Sequence, residues 1–436
     1  MTNSSNHLVL MAGGVGSRFW PMSTPECPKQ FIDVMGVGRT LLQLTYDRFR
    51  GLVPDENVWV LTNKDYADIV FEQLPDINKN HILLEPIRRN TAPCIAYASW
   101  RIKTLDANAN IVVSPSDAVV MNIPEFRRVI ASSLNFASET DAIVTLGMKP
   151  TRPETGYGYI MAELSNPSMR NKEIFRVDSF REKPDLETAK EYVRQNNYFW
   201  NAGIFIWNVS TIVNAFRVYQ PIMARTFEKM VPFYGTELEQ EHIDSCFGDC
   251  ESISIDYAIM EKADETFVFP ASFGWSDLGT WGSLLSQTKQ DVHGNSLIGK
   301  NISMYDSHGC VVHALEEKKV VIQGLENYIV AEKDDEVVGV GALHLSWDKL
   351  AEIRTMAIAP TMKKQGVGRK IVEMLIEEGR QLGVKNLFTL TYQPEFFGKL
   401  GFYEINKDKL PHKVWKDCIN CPKFPNCDEI AMEREI

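Results

Sequence analysis

The chain has 436 residues, of which 44% are hydrophobic and 24% charged, and its formal net charge is −11. This composition excludes a disordered chain, and the acidic balance argues against general nucleic-acid binding. No apolar stretch reaches the roughly 20 residues of a membrane-spanning helix, and the polar opening at residues 1–7 is unlike a secretory leader. We therefore expect a cytoplasmic enzyme of two or three domains, without a nucleic-acid or membrane partner.

The first 120 residues alternate apolar runs with amphipathic stretches, a pattern typical of a largely parallel α/β sheet. Strands are predicted at residues 8–11, 58–61, 81–84 and 111–113. Thr40 is a predicted helix N-cap, and a second helix is predicted to begin at Thr91. Right-handed crossovers would place the carboxyl ends of these strands on one edge of the sheet.

A glycine loop with the sequence GGVGSR follows the first predicted strand at residues 13–18, and Lys29 comes shortly after it. The loop fits neither the P-loop pattern nor the dinucleotide pattern G-x-G-x-x-G. Its backbone N–H groups could bind phosphate oxygens, with Arg18 and Lys29 adding positive charge. Displacement at a nucleotide α-phosphate develops negative charge that such groups stabilise. The alternative is a plain tight turn with two solvated cations.

The later part of the chain contains a second predicted α/β unit. Beyond a strand at 142–146 and a Gly/Tyr-rich stretch at 156–160, the helices give way near residue 283 to short β-like pieces at 309–313 and 318–322. A hairpin is predicted between 328–332 and 337–343. A strand at 353–358, a glycine loop, a helix at 369–382 and a strand at 386–390 then follow. The loop and helix N-terminus would form a pyrophosphate site.

The eight cysteines are too dilute for a disulfide scaffold. Three of them cluster at the end of the sequence, where Cys418, Cys421 and Cys427 follow His412. These four side chains could bind Zn²⁺, and the alternative is a set of reduced or structural thiols.

Nine ordered motifs resemble sugar-nucleotide pyrophosphorylases of the mannose-1-phosphate guanylyltransferase type over about residues 6–335. They are GGVGSRFWPMS at 13–23, PKQF at 28–31, EPIRRNTAP at 85–93, PSD at 115–117, GYG at 156–158, FREKP at 180–184, NAG at 201–203, SIDYAIME at 254–261 and FGWSDLGTW at 273–281. The resemblance implies a Rossmann-like, GT-A-like nucleotidyltransferase with a mixed sheet flanked by helices. It also implies the reaction of mannose 1-phosphate with GTP to give GDP-mannose and pyrophosphate.

The same resemblance assigns roles to individual residues. Arg18, Lys29, Asp117 and Asp277 are the implied catalytic residues, and the two aspartates would bind Mg²⁺ with phosphate oxygens. The implied nucleotide-binding residues are Ala12, Gly13, Gly14, Gly16, Ser17, Arg18, Asn90 and Thr91. Those for the sugar phosphate are Gly158, Glu182, Lys183 and Asn201. Ala118 stands where the family often has histidine. Because the carboxylate of Asp117 is kept, we expect this difference to tune the activity and not to abolish it.

A second set of motifs is IRTMAIAP at 353–360, KKQGVGR at 363–369, FFGKLGF at 396–402 and LPHKVWKDCINCPKFPNCDE at 410–429. With them, residues from about 328 to 436 resemble a second family, the GNAT acetyltransferases related to N-acetylglutamate synthase. The residues implied to bind acetyl-CoA are Met356, Ile358, Lys363, Gln365, Gly366, Gly368 and Arg369. Lys363 departs mildly from the usual Arg or Gln. Because the opening strand and helices of such a domain have no place before the hairpin, we predict an N-terminally truncated, smaller α/β domain.

These two resemblances predict a nucleotidyltransferase domain at 1–335 and a partial acetyltransferase domain at 336–436, with a junction at about 328–336. The second part could bind acetyl-CoA and an amino acid, giving a fusion with both activities. It could instead be a non-catalytic packing or assembly module. A sugar-nucleotide-binding regulator without turnover is the third hypothesis, disfavoured because binding alone needs no leaving-group electrostatics. A homo-oligomer is compatible with each of them.

Overall fold

The computed structural model describes residues 4–14, 19, 22–279, 281–300, 302–305, 308–314, 320–323, 328–333, 336–347, 349–410 and 427–436. The chain divides into two compact units, one comprising residues 1–16 and 25–289 and the other residues 17–24 and 290–436. Each unit is described by itself below. The domain boundary between residues 335 and 336 stays a prediction.

The first unit is built on a nine-stranded sheet with the order β3-β2-β1-β4-β9-β6-β10-β8-β7. Its strands, with the short β5 and β11 that pair separately, are β1 (Asn6–Met11), β2 (Val58–Asn63), β3 (Ile82–Glu85), β4 (Asn110–Pro115), β5 (Val119–Val120), β6 (Ile143–Met148), β7 (Tyr159–Pro167), β8 (Phe175–Arg181), β9 (Tyr198–Asn208), β10 (Thr266–Ala271) and β11 (Trp275–Ser276). Strands β1 to β4 are parallel, whereas β9 runs antiparallel to both β4 and β6. The predicted mixed sheet is confirmed.

Helices cover both faces of this sheet. They are α1 (Leu41–Phe49), α2 (Ala67–Gln73), α3 (Thr91–Leu105), α4 (Ile123–Ser138), α5 (Leu186–Arg194), α6 (Val209–Tyr219), α7 (Pro221–Lys229), α8 (Glu239–Cys246) and α9 (Trp281–Gln287). Strand β1 alternates between the faces: Val9 packs in the cluster that contains α3 and α6, and Leu8 and Leu10 pack in the cluster that contains α1 and α4. This alternation places the sheet between two helical layers, a three-layer architecture.

The predicted helix N-caps can be compared with the structure. Thr40 caps α1 in a capping box, because its hydroxyl accepts from the Gln43 N–H at 3.3 Å and its own N–H donates to the Gln43 side chain at 3.0 Å. Helix α3 does begin at Thr91, but its cap is Asn90, which adopts a positive φ of 65°. One short turn, Asp256–Met260, is a π-helix.

The second unit contains a six-stranded sheet with the order β16-β17-β18-β19-β21-β20. Its elements are β12 (Ser296–Gly299), β13 (Ile302–Tyr305), β14 (Val311–Ala314), β15 (Val320–Gln323), β16 (Tyr328–Lys333), β17 (Glu336–Trp347), β18 (Leu350–Ile358), α10 (Val367–Gln381), β19 (Asn386–Thr391), α11 (Pro394–Gly398), β20 (Tyr403–Glu404) and β21 (Ile430–Glu435). The predicted hairpin is β16 and β17, paired antiparallel. The long helix starts two residues earlier than predicted, at Val367.

Helix α10 packs its apolar side chains, among them Ile371 and Leu375, in one core with Leu343 and Ile353 of the sheet. Strands β18 and β19 are parallel but pair only between Leu350–Glu352 and Asn386–Phe388. Their remaining residues therefore diverge within the sheet. In the part of the chain that the structure describes, no helix is both long and apolar enough to cross a membrane.

Candidate active site

A cavity of about 340 Å³ lies at the carboxyl ends of the parallel strands in the first unit. Among the predicted nucleotide-binding residues, Gly13, Gly14, Asn90 and Thr91 line it, together with the predicted metal ligand Asp117. The remaining lining residues are Met11, Gln30, Leu61, Glu85, Arg88, Cys94, Pro115 and Ser116. Gly16, Ser17 and Arg18 lie outside the described residues, so their predicted roles stay predictions.

Buried polar contacts fix the start of the glycine loop. The Ala12 carbonyl accepts from Thr62 Oγ1 at 3.0 Å and from Gln30 Nε2 at 3.2 Å, and the same Gln30 nitrogen donates to the Gly14 carbonyl at 2.7 Å. Ala12 is itself buried and supports the loop from behind. Gln30, the third residue of the PKQF motif, thus engages the loop carbonyls, which leaves the loop N–H groups suited to an anion.

The N-terminus of α3 opens on the same cavity. Asn90 Oδ1 accepts from the Thr91 N–H at 2.9 Å, and Thr91 Oγ1 accepts from the Ile255 N–H at 2.8 Å. A helix of 15 residues carries a partial positive charge at this end. The cavity therefore has a glycine loop on one side and the N-terminus of α3 on another. The Thr91 and Ala92 N–H groups bond to Asn90 and to the Ile253 carbonyl, so α3 favours phosphate through its dipole.

Lys29 lies between the two predicted metal ligands. Its ammonium group is 2.9 Å from Asp117 Oδ2 and donates to the Asp277 carbonyl oxygen at 2.6 Å. The Lys29 side chain is only 6% exposed, whereas that of Asp117 is 45% exposed. A buried ammonium in contact with both aspartate-bearing loops puts positive charge where phosphate oxygens would approach.

A short ladder explains why two aspartates so distant in sequence meet. Strand β5 directly follows the Asp117 loop, β11 directly precedes Asp277, and the two pair antiparallel with Trp275 opposite Val120 and Ser276 opposite Val119. An antiparallel register brings the residues beyond each end of such a ladder together. The predicted convergence of Asp117 and Asp277 follows from this pairing, since both line one cavity.

Asp277 is oriented by two donors. Its Oδ1 accepts from the Tyr157 hydroxyl and from the Gly279 N–H, the latter at 2.9 Å. Burial, reinforced by the Asp277 carboxylate, raises the pKa of Tyr157 well above its usual value, so the phenol remains a proton donor at neutral pH. The other oxygen of Asp277 does not take part in these two bonds.

The two aspartates fit a hard divalent cation such as Mg²⁺. Both are carboxylates that line one cavity, and the described residues contain no cluster of three or more His, Cys, Asp and Glu around a metal position. A cation there would have two protein carboxylates, leaving its remaining positions to phosphate oxygens and water, as Mg²⁺ commonly does.

A second cavity of about 220 Å³ contains the predicted sugar-phosphate residues. Gly158, Glu182, Lys183 and Asn201 all line it, and it shares Met11, Thr91, Pro115 and Asp117 with the first cavity. Lys183 Nζ is 2.8 Å from Glu182 Oε1. A Cβ at position 158 would lie 2.5 Å from Glu182 Oε2, so a larger residue there would displace this carboxylate from its present position.

Two buried or half-buried carboxylates of these cavities were not predicted from the sequence. Glu85, at the end of β3, is 7% exposed and lines the first cavity, and burial raises its pKa to about 8. Asp256 lines the second cavity, and burial together with the Glu182 charge raises its pKa to about 7. Each lies in a motif quoted above. Glu85 ends an apolar strand and Asp256 begins an apolar turn, and an acidic residue in such a place was the signal that could have identified both.

The predicted acetyl-CoA residues surround the start of α10 in the second unit. Gly366 is the N-cap of α10 with a φ of 87°, which favours glycine, and a Cβ on Gly368 would lie 3.3 Å from the Phe396 ring. Lys363, Gln365 and Arg369 are exposed, and Met356 and Ile358 of β18 are half-buried. The residues are therefore near one another along the β18-loop-α10 segment, beside the divergence of β18 from β19.

The predicted zinc ligands His412, Cys418 and Cys421 lie outside the described residues. Cys427 is described, and its thiol donates to Glu429 at 3.8 Å. The zinc hypothesis accordingly stays a prediction.

Family models and relatives agree with both resemblances. Residues 7–294 match the nucleotidyl transferase family, and residues 303–405 match the acetyltransferase (GNAT) family. The alginate biosynthesis protein AlgA of Pseudomonas fluorescens is 35% identical over 379 residues, covering 85% of this chain and 72% of that protein. A mannose-1-phosphate guanylyltransferase of Salmonella montevideo is 36% identical over 335 residues, covering 76% of this chain and 69% of that protein.

One solved structure extends this comparison to the fold. The mannose-1-phosphate geranyltransferase from Thermus thermophilus is 30% identical, with a TM-score of 0.65, and the match covers 85% of this chain and 99% of that chain. The sequence and fold comparisons agree. The chain belongs to the nucleotidyl transferase family, together with mannose-1-phosphate guanylyltransferases, and carries a GNAT acetyltransferase domain after it.

Proposed function

We propose that the first unit transfers GMP from GTP to mannose 1-phosphate, giving GDP-mannose and pyrophosphate. The observation that supports this most directly is that two cavities meet at Asp117, one lined by a glycine loop and a helix N-terminus and the other by sugar-type polar groups. Such an arrangement suits two phosphate-bearing substrates that must react with each other. The relative from Salmonella montevideo carries the same activity in its name.

In this reaction a phosphate oxygen of mannose 1-phosphate attacks the α-phosphorus of GTP. The bond from that phosphorus to the oxygen bridging it to the β-phosphate breaks, and pyrophosphate leaves with the bond electrons. The attacking oxygen is already anionic, so no general base is needed, and catalysis consists of positioning and charge stabilisation. Lys29 is the described cation best placed to stabilise the developing charge, since it contacts both aspartate loops.

Asp117 and Asp277 would hold Mg²⁺, which would neutralise charge on the phosphate oxygens when bound. The Tyr157 hydroxyl and the Gly279 N–H keep Asp277 in its orientation. Lys29 contacts both Asp117 and the Asp277 carbonyl, and so keeps the Asp117 loop close to Asp277. These contacts preorganise the carboxylates before substrates arrive, which reduces the reorganisation that the reaction requires.

Glu85 supports guanine as the base. Its carboxylate lies in the first cavity, and a Cβ on Gly13 would be 3.5 Å from Glu85 Oε1, so the carboxylate borders the glycine loop. The Watson–Crick edge of guanine presents two adjacent donors, the N1–H and the 2-amino group, which a carboxylate can accept together. Adenine offers no such pair, so the proposal assigns base selection to Glu85.

The test is release of pyrophosphate by the purified full chain with Mg²⁺, mannose 1-phosphate and a panel of nucleoside triphosphates. We expect turnover with GTP, and turnover with other hexose 1-phosphates should be slower. Asp277→Asn should lower kcat by about 100-fold because a metal ligand is lost. Asp264→Asn, a change at an exposed aspartate, is the control. Absence of pyrophosphate from the wild-type protein would refute the proposed activity, and an unchanged Asp277→Asn rate would refute the metal assignment.

For the second unit we propose acetyl-CoA binding at the loop before α10. The N-terminus of α10 and the divergence of β18 from β19 support it, because they offer N–H donors for a pyrophosphate and backbone groups for an extended thioester chain. Transfer of the acetyl group to an amino acid would make the chain bifunctional. The other candidate is a non-catalytic packing or assembly module.

Thermal shift with acetyl-CoA separates these two candidates. We expect acetyl-CoA to raise the Tm of the full chain, and Gly368→Val to abolish the shift, because its side chain would crowd Phe396 and close the loop. Gly398→Ala, where a Cβ meets nothing within 4 Å, is the control. No shift with the wild-type protein would favour the packing module.

Four other expectations stay predictions. They are the domain bounds of 1–335 and 336–436, a cytoplasmic location, the lack of nucleic-acid and membrane partners, and a homo-oligomer.

A further inference from the structure

Asp256 is a carboxylate that lines the second cavity, the one with the predicted sugar-phosphate residues, and the reaction described above gives it no role. It begins the π-helical turn Asp256–Met260, a rare conformation that is frequent at functional sites. Its side chain lines the cavity beside Glu182 and Asn201. The charged groups that face it are Glu182 and Lys183 from the turn after β8, and Ser254 of its own loop also hydrogen bonds to it.

The contacts of Asn201 define which way its amide points. The Gly203 backbone N–H, which can only donate, is 3.1 Å from Asn201 Oδ1, and the carboxylate of Asp256, an acceptor, is 3.0 Å from Asn201 Nδ2. Thr145 Oγ1 lies 2.9 Å from the same Asn201 oxygen. One end of the amide is thus fixed by the backbone of β9 and the other by Asp256.

This orientation has a consequence for ligand recognition. The Asn201 oxygen is occupied by contacts within the protein, while the nitrogen has two protons, one of which bonds to Asp256. The second proton is available to a hydroxyl oxygen in the cavity that Asn201 lines. Without an acceptor at position 256, the amide would be held through its oxygen alone, by Gly203 and Thr145, and its nitrogen would lose the bond to Asp256 that limits its tilt.

We propose that Asp256 is a positioning residue for hexose recognition, which holds the Asn201 amide so that its N–H donates to a hydroxyl group of the sugar 1-phosphate. The inference rests on the proposed function, because it names how that same cavity reads its sugar. Asp256 acts through Asn201 and not on the reacting phosphates, which lie toward Asp117 and Asp277. Its loss should therefore affect sugar binding and leave nucleotide binding and the chemical step nearly unchanged.

The decisive variants are Asp256→Leu, which removes the acceptor at similar size, and Asp256→Asn, which keeps a neutral acceptor oxygen. We expect Asp256→Leu to raise the KM for mannose 1-phosphate about tenfold or more, the factor that corresponds to a lost hydrogen bond to a charged group. The KM for GTP and kcat should change less than about twofold. Asp256→Asn should recover most of the loss, and Asp264→Asn is the exposed control.

Deoxy analogues locate the hydroxyl. With mannose 1-phosphates lacking one hydroxyl at a time, the penalty of Asp256→Leu should shrink for one analogue and persist for the others, as in a double-mutant cycle. An equal penalty with every analogue would overturn the proposal, because the amide would then not be reading a hydroxyl. Equal increases of KM for both substrates would overturn it too, since they indicate a merely structural role.

A pH profile gives a readout that folding defects do not imitate. The pKa of Asp256 is raised to about 7 by burial and by Glu182, so its charge is lost as pH falls from 8 to 6. We expect the ratio of the wild-type KM for mannose 1-phosphate to that of Asp256→Asn to be below one at pH 8 and to approach one at pH 6. Taking the ratio cancels titration of the substrate phosphate. A constant ratio would contradict the proposal.

These outcomes are separable from failure of the proposed function, which the wild-type pyrophosphate assay decides by itself. Should the wild-type protein not turn over, calorimetric binding of mannose 1-phosphate to the wild-type protein and to Asp256→Leu decides the inference. Weaker binding to the variant supports it, and equal binding overturns it. If Asp256→Leu does not fold, the pH ratio with Asp256→Asn remains decisive.

Discussion

At the scale of single residues, Lys29 links the two carboxylate loops with one buried ammonium group. Lys29→Met should lower kcat/KM by about 100- to 1,000-fold, because it removes preorganised positive charge from the reacting phosphates. Lys64→Met is the matched control, since Lys64 forms a surface ion pair with Asp244. Pyrophosphate release measures both. A drop of equal size in the two variants would contradict the assignment of Lys29.

Glu85 provides a second residue-scale prediction, based on its raised pKa of about 8. The carboxylate is protonated well below pH 8 and ionised above it, and only the ionised form accepts both guanine donors. The quantity to measure is the wild-type KM for GTP divided by the KM of Glu85→Gln, because this ratio cancels titration of the nucleotide. The ratio should fall as pH rises from 6.5 to 8.5.

The substrate panel sharpens this prediction. Inosine triphosphate lacks the 2-amino group, so the wild-type protein should prefer GTP over it by about tenfold, the value of one hydrogen bond to a charged group. Glu85→Gln should reduce that preference. A variant that loses activity with both nucleotides equally would instead indicate a structural role for Glu85.

At the scale of elements, the ladder of β5 and β11 holds together the loops that carry Asp117 and Asp277, the proposed Mg²⁺ ligands. Gly274, just before β11, has a φ of 67°, and a Cβ there would lie 2.9 Å from Met121 Cβ. Gly274→Ala should therefore displace β11 and increase the Mg²⁺ concentration needed for half-maximal activity.

The matched control is Gly38→Ala, which has a φ of 79° but meets nothing within 4 Å. Both changes place alanine at positive φ, which costs about 1–2 kcal/mol, so both should lower Tm, and Gly274→Ala should lower it further because of its contact with Met121. Only Gly274→Ala should change the Mg²⁺ dependence. An unchanged dependence would show that the ladder does not set the metal site.

The elements also show where prediction from sequence succeeded. Strand β1, with its glycine loop, and helices α1 and α10 were predictable because their apolar periodicity and caps are local signals. Strands β8 and β9 were not predicted as strands. In β9 nearly every residue is apolar or aromatic because it lies buried at the centre of the sheet, so no alternation marks it.

At the scale of the whole molecule, the two raised carboxyl pKa values affect stability. Glu85 and Asp256 have folded pKa values of about 8 and 7, above the ordinary values of 4.5 and 3.8. The folded protein therefore binds more protons than the unfolded chain between about pH 4 and pH 8, and its stability from these groups falls as pH rises through that window. Glu85→Gln should flatten this fall, measured as Tm against pH from 5 to 8.5. A parallel shift at every pH would contradict it.

The sequence by itself determined which residues to propose for the site: the glycine loop, Lys29, Asp117, Asp277 and the predicted sugar-phosphate residues stand in local motifs whose side chains suit phosphate and hydroxyl groups. Tertiary structure alone decided how they combine. The β5–β11 ladder brings Asp117 to Asp277, the backbone of β9 and Asp256 orient Asn201, and burial gives Glu85 and Asp256 their raised pKa values. The physical reason is that pairing register and desolvation depend on residues far apart in the chain, and no local pattern encodes them.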